Sequence, residues 1–175
     1  MSQTAYAKQL TSGQLGMLGD ASENNIVSRY AAAAIPVGRV VVFDTTNGKV
    51  KLPAAATDIL DANSESRPVE GVIVHSQAIE SQAANTLGVA GANVPAYPAN
   101  YEFSVLRKGV IWVWAEEAVT ITDQVFVRHT AAGNEKPGNV RNDAATVTCA
   151  LLKGARFASV TTGAGLVLLE VNLPQ

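Results

Sequence analysis

In Tyr101-Glu102-Phe103-Ser104-Val105 every second residue is apolar or aromatic, and the same period of two returns in short segments from Ile35 to the C-terminus, punctuated by glycine, proline, asparagine or aspartate. No other feature constrains the fold more. A period of two puts apolar side chains on one face of a strand, whereas a helix needs them three and four residues apart, and no helical run of convincing length is present. The pattern predicts an all-β fold of about ten short strands, a small antiparallel β-barrel or sandwich, closed or nearly closed so that few strand edges face solvent.

Ile35 to Phe43 reads as a strand, Asp44-Thr45-Thr46-Asn47-Gly48 as a hairpin turn through its Asn-Gly step, and Lys49-Val50-Lys51-Leu52 as the return strand. A connection from Pro53 to Pro68 has room for one helical turn at Thr57-Asp58-Ile59-Leu60, and Val69 to His75 is the next strand. From Ser81 to Asn100, small residues with Gly88, Gly91, Pro95 and Pro98 form a long excursion, a length that in compact domains is usually functional or anchored to a partner. Tyr101 to Val105 and Val110 to Trp114 are predicted as two adjacent strands turning at Arg107-Lys108-Gly109. Val119 to Thr122 and Gln124 to His129 flank a tight link at Asp123, and a loop runs from Ala131 to Asp143. Thr146 to Leu151, Ala155 to Val160 and Leu166 to Val171 complete the set, with Cys149 on an apolar face.

Residues 1–34 differ, being rich in Ser, Gln, Asn, Ala and Gly. Spaced glycines let one main chain lie close against another. This stretch is therefore predicted as an extended N-terminal arm (1–34) ahead of a β domain (35–175). Leu10, Gly13, Leu15, Gly16, Met17, Leu18, Gly19 and Asp20 are its candidate contact residues. Trp112 and Trp114, two apart on one strand, share a face, and the apolar Ile111 and Val113 on the other predict a packing role in the core or an oligomer seam. The alternative, an aromatic platform on a carbohydrate-binding β-sandwich, needs both indoles open to solvent.

A chain of 175 residues can hide roughly 70% of its unfolded surface, enough for a core without staples. Only 16% of residues are charged against 47% apolar, so Ser, Thr, Asn, Gln and Ala must supply much of the surface, a mix suited to packing against protein. The formal charge of −2 and pI near 5.7 offer no basic field to phosphate, so nucleic acid is not an expected partner. No segment is long and apolar enough to span a bilayer, the first residues lack a secretory pattern, and the lone Cys149 suits a reducing cytoplasm.

Catalytic patterns are missing. His75 and His129 each end a predicted strand without a nucleophile elbow, metal-ligand spacing is absent, and Gly13, Gly16 and Gly19 are followed by Asp20 and not by a phosphate-binding Lys-Ser/Thr. Glu116 and Glu117 are consecutive and point to opposite faces, so they cannot flank one glycosidic bond, and they read as a solvated strand end. No catalytic residue, metal or cofactor is expected.

Four motifs carry a resemblance: Ser104-Val105-Leu106-Arg107-Lys108-Gly109-Val110-Ile111-Trp112-Val113, Asp123-Gln124-Val125-Phe126-Val127-Arg128-His129, Gly138-Asn139-Val140-Arg141, and Gly154-Ala155-Arg156-Phe157 before a glycine-bounded last strand. From Val69 to the C-terminus the chain resembles the structural cement (head decoration) proteins of tailed phages, and more loosely before that; Gln124 stands where a Gly-Asp step is typical. The resemblance implies a small β-rich protein, often a homotrimer, made in the bacterial host cytoplasm. It would be carried on the outer capsid surface of the virion, where it binds junctions between major capsid proteins.

Overall fold

The computed structural model describes residues 13–20, 23–59, 69–76 and 95–173. Leu10, residues 60–68 of the predicted connection and residues 81–94 of the long excursion lie outside them. The elements are β1 (Asn25–Tyr30), β2 (Ile35–Pro36), β3 (Val40–Asp44), β4 (Lys49–Lys51), α1 (Ala56–Ile59), β5 (Val69–Ile73) and β6 (Ala96–Tyr97), then β7 (Glu102–Ala115), β8 (Phe126–Arg128), β9 (Val140–Arg141), β10 (Cys149–Leu151), β11 (Ala155–Phe157) and β12 (Gly165–Asn172).

The fold is all-β and sandwich-like. One sheet runs β10-β8-β9-β7-β5-β3-β4, with β1 and β12 also on β7 and β11 on β12, while β2 and β6 pair apart. The predicted hairpin is present, with Asp44 opposite Lys49 and Val42 opposite Lys51. The sheet does not close into a barrel, and β7 is the reason. Ile26 of β1 and Val72 of β5 both pair with Leu106, so they flank it on opposite edges, and Leu18 and Leu169 do the same at Ile111. A strand that passes from one pair of neighbours to another makes the sheet branch instead of circle. Among the described residues the strands pair antiparallel except where Val140 meets Ala115 in parallel, and the isolated bridge of Ala31 to Val50 is parallel as well.

The predicted turn at Arg107-Lys108-Gly109 does not form, and Glu102 to Ala115 is one strand. Its charged residues have partners: Arg107 Nη2 lies 2.9 Å from the buried Glu70, and Lys108 Nζ lies 2.8 Å from Glu23 in an exposed pair. What happens at these residues is a reversal of faces. Phe103 and Val105 enter a core with Ile35, Val37, Val41, Val50, Ile73 and Tyr97, whereas Leu106 and then Ile111, Val113 and Ala115 enter another with Val40, Val72, Val127, Val140, Phe157 and Leu169. The odd-numbered positions thus change core across residues 106–110, as a bulge requires, and the β1 register slips there, with Asn25 opposite Lys108 but Ile26 opposite Leu106. Gly109, at φ 134°, permits it, because a Cβ on it would lie 2.0 Å from Asn24 Oδ1. Each fully buried Val, Leu, Ile or Phe in these two cores contributes roughly 1.5–3 kcal/mol, so β7 serves as a wall common to both.

A second departure concerns Thr146 to Leu151. The strand starts only at Cys149, and Ala145, Thr146 and Val147 adopt φ of 42°, 52° and 68°. Asp143 and Thr148 side chains take up backbone groups of this segment and compete with a ladder.

Candidate functional site

Residues 13–20 lie along the body as an added run on β7. Gly16 N–H donates to Trp112 C=O at 2.8 Å, Trp112 N–H to Met17 C=O at 2.9 Å, and Gly19 N–H to Val110 C=O at 2.8 Å, while His75 N–H donates to Gly16 C=O at 2.8 Å. The glycine spacing follows from these contacts. A Cβ on Gly13 would fall 2.1 Å from the Trp112 indole nitrogen, and one on Gly19 2.3 Å from Leu168 Cδ2. Gly16, at φ 78°, turns the chain between His75 and Gly38.

Of the predicted contact residues, Leu15 is buried in the core with Ile35 and Tyr97, and Leu18 packs against the other core. Met17 is 45% exposed, and Gly19 and Asp20 face outward. The outer side continues along β1, where Ile26 is 41% exposed and Tyr30 is exposed too. Among the described residues, β1 pairs along its length with β7 alone, which leaves a strand edge beside these side chains.

Trp112 and Trp114 are both half-buried. Gly13 sits against the Trp112 ring, and Trp114 packs on the core that contains Phe103 and Val105. They lie opposite Leu168 and Leu166 in the β12 pairing.

The charged residues at the far end of β7 hold a network that the sequence reading placed in solvent. The Glu116 side chain is 2% exposed, and its two oxygens share the one Arg128 Nε–H, at 2.7 and 2.9 Å, with the Arg128 side chain itself 1% exposed. The other Arg128 nitrogens reach Glu135, Thr130 C=O and Thr148 Oγ1. Asn139 Nδ2 donates to Glu116 at 3.1 Å, and Asn139 Oδ1 accepts from Arg39, whose burial pulls its pKa down to about 10. Arg141 joins Glu117 at 3.0 Å and Asp143 at 2.7 Å, and this pairing holds the Asp143 carboxyl below the usual range. The solvated-strand-end reading of Glu116-Glu117 is therefore corrected for Glu116. Its signal was present in the charges of Arg128 and Arg141, set inside otherwise apolar strand motifs of a charge-poor chain.

The groups considered for chemistry are engaged elsewhere. His129 is buried with Nδ1 2.9 Å from Thr130 Oγ1, and burial lowers its pKa. Cys149 is buried, and desolvation raises its thiol pKa, but the expected apolar face is corrected: Ala150 and Leu152 enter the core, while Cys149 stands opposite Arg128 on the side of the ionic network. Among the described residues, no His, Cys, Asp and Glu cluster has a metal-binding arrangement, and no helix is long and apolar enough to cross a membrane.

A family model described as structural cement protein (E217 gp24/Pam3 gp6) matches residues 1–172. Among solved structures, a chain from "The capsid of Myoviridae Phage XM1" matches with a TM-score of 0.65, covering 98% of this chain and 97% of that one at 16% identity, a likeness of fold. No curated protein matches the chain.

Proposed function

Because this chain belongs to the structural cement protein family, we propose that it binds the outside of an assembled phage head and reinforces junctions between major capsid proteins. The observation that carries the reading is the family match across residues 1–172, which takes in the N-terminal segment and the sandwich together. The physical task suits such a chain. A ligand that binds the assembled shell and not its free subunits stabilises the shell by mass action, without chemistry. A homotrimer, with the exposed parts of Trp112 and Trp114 near its seam, multiplies weak contacts by avidity.

The contact face is the outer side of the edge formed by residues 13–20 and β1. Gly13, Leu15, Gly16, Met17, Leu18, Gly19 and Asp20 form its leading part, Leu15 and Leu18 by anchoring it from within, and Ile26 and Tyr30 extend it; Leu10, a contact candidate from the sequence, lies outside the described residues. Apolar side chains beside an unpaired strand edge can be covered by a partner that satisfies both. The test mixes the full chain with purified heads lacking it, read by co-sedimentation and electron microscopy. Wild-type protein is expected on the outer surface, and failure to bind would end the cement reading. The double variant Met17→Asp/Ile26→Asp is expected to fold and to lose binding at least about tenfold; undiminished binding would remove this face from the contact.

A further inference from the structure

Three consecutive residues with Cβ atoms, Ala145, Thr146 and Val147, hold left-handed backbone angles, a conformation that L-residues avoid and β-branched ones avoid most. The turn is fixed from below. Asp143 Oδ1 accepts from Ala145 N–H at 2.9 Å while bound to Arg141 Nε at 2.7 Å. Thr148 Oγ1 donates to Ala145 C=O at 2.8 Å and accepts from Arg128 Nη1 at 3.0 Å, and Cys149 N–H closes back on Ala144 C=O at 3.1 Å. A buried ionic network thus stands under an unfavourable turn. Strain of this kind persists only where its surroundings over-determine it, and it gathers at contact and ligand sites.

At the tip Val147 is 82% exposed, so its side chain packs on almost nothing within the chain. Glycine or asparagine would fold into this turn more readily. The neighbouring segments extend the same character. Asn142 Nδ2 binds Ala118 C=O and Asp123, tying the turn to the segment that displays Ile121, and Val119 bridges to Thr161 beside the exposed Val160. The charges around it are spent internally: Arg141 on Glu117 and Asp143, and Asp123 on Thr120 N–H.

We propose that the Asp143–Thr148 turn is a rigid apolar knob that seats Val147 in an uncharged, apolar recess on a subunit of the phage shell. It forms a second contact, separate from the edge of residues 13–20 and β1. The inference rests on the cement reading, because a protein that reinforces a seam must hold both of its sides. The occupant is a neutral recess because the knob offers neither an unpaired charge nor a free strand edge.

The experiment compares Val147→Gly with Ala145→Gly in the full chain, each relieving one left-handed residue while only the first removes the apolar tip. Both are expected to fold and to melt about 2–4 °C higher than wild type. Val147→Gly is expected to bind purified heads roughly tenfold more weakly, and Ala145→Gly like wild type. Equal binding by Val147→Gly and wild type would overturn the knob, as would a Val147→Gly protein whose solution mass drops, since the valine would then contact another copy of this chain. Wild-type protein that ignores heads altogether would strike at the cement reading instead.

Discussion

Arg128 and Arg156 each pair with a glutamate across neighbouring segments, yet the two pairs have different worth. Arg156 and Glu170 are 71% and 37% exposed, where solvent screening leaves a pair about 0–1 kcal/mol. Arg128 and Glu116 are 1% and 2% exposed, and removing one partner would strand a charge without water. Glu116→Ala is therefore expected to cost about 3–5 kcal/mol in chemical denaturation, against less than about 1 kcal/mol for Arg156→Ala. A Glu116→Ala cost near that of Arg156→Ala would show that water reaches the network. The charges of Arg128 and Arg141 signalled a buried partner, but which carboxylate they draw in was not legible beforehand. Glu116 follows a strand as a solvated end does, and the partners that draw it inward come from positions 128, 139 and 141. The burial of Cys149 was legible from the alternation around it, but not its face, which is shared with Arg128 and not with the core that Ala150 and Leu152 enter. So was the reason for the glycine trio, although not which surface the glycines approach: a missing Cβ announces proximity and leaves the neighbour unnamed.

At the level of elements, the run from Gly13 to Asp20 is held by few bonds, so its seating depends on Gly16. An added Cβ there would meet His75 N at 2.9 Å and Gly38 N at 3.0 Å, both backbone, and φ 78° is strained for alanine in any case. Gly16→Ala is expected to cost about 1–3 kcal/mol and to loosen this run first. Hydrogen exchange would see it at the Trp112 amide, which donates to Met17, well before the Ile111 and Val113 side of the sheet is affected. Uniform loss of protection would mean that the run and the sandwich are one cooperative unit. Strand existence was readable from alternation, and the Asn47-Gly48 hairpin from its turn residues, because both are written in adjacent positions. The continuity of β7 was not. Arg107-Lys108-Gly109 has turn composition, and it remains extended because β1 and β12 pair on either side of Lys108, the buried Glu70 takes the Arg107 charge, and Gly109 lets the strand roll from one core to the other. The left-handed turn before β10 was hidden for the converse reason: Thr146 and Val147 favour strands, and side-chain bonds from Asp143 and Thr148 prevail.

For the molecule as a whole, scarcity of charge is compounded by where the charges go. Glu70 and Glu116 turn inward to arginines, and Arg39, Arg128 and Arg141 are held in the network at the end of β7. Met17, Ile26, Ile121, Val147 and Val160 face outward near the two proposed contacts, and the charges exposed among them, Asp20 and the mutually paired Glu23 and Lys108, amount to no strong field of one sign to steer an approach. Association with heads should therefore be neither fast through electrostatic attraction nor sensitive to its screening. Raising salt from about 50 to about 500 mM shortens the Debye length from roughly 14 to roughly 4 Å, enough to erase attraction between exposed charges. Affinity measured by co-sedimentation is expected to change less than about threefold over that range, and a modest rise is compatible with apolar contact. A fall of ten times or more would place ion pairs at the junction. The contact would then have to be sought among the exposed lysines and acids instead of along the apolar edge and knob.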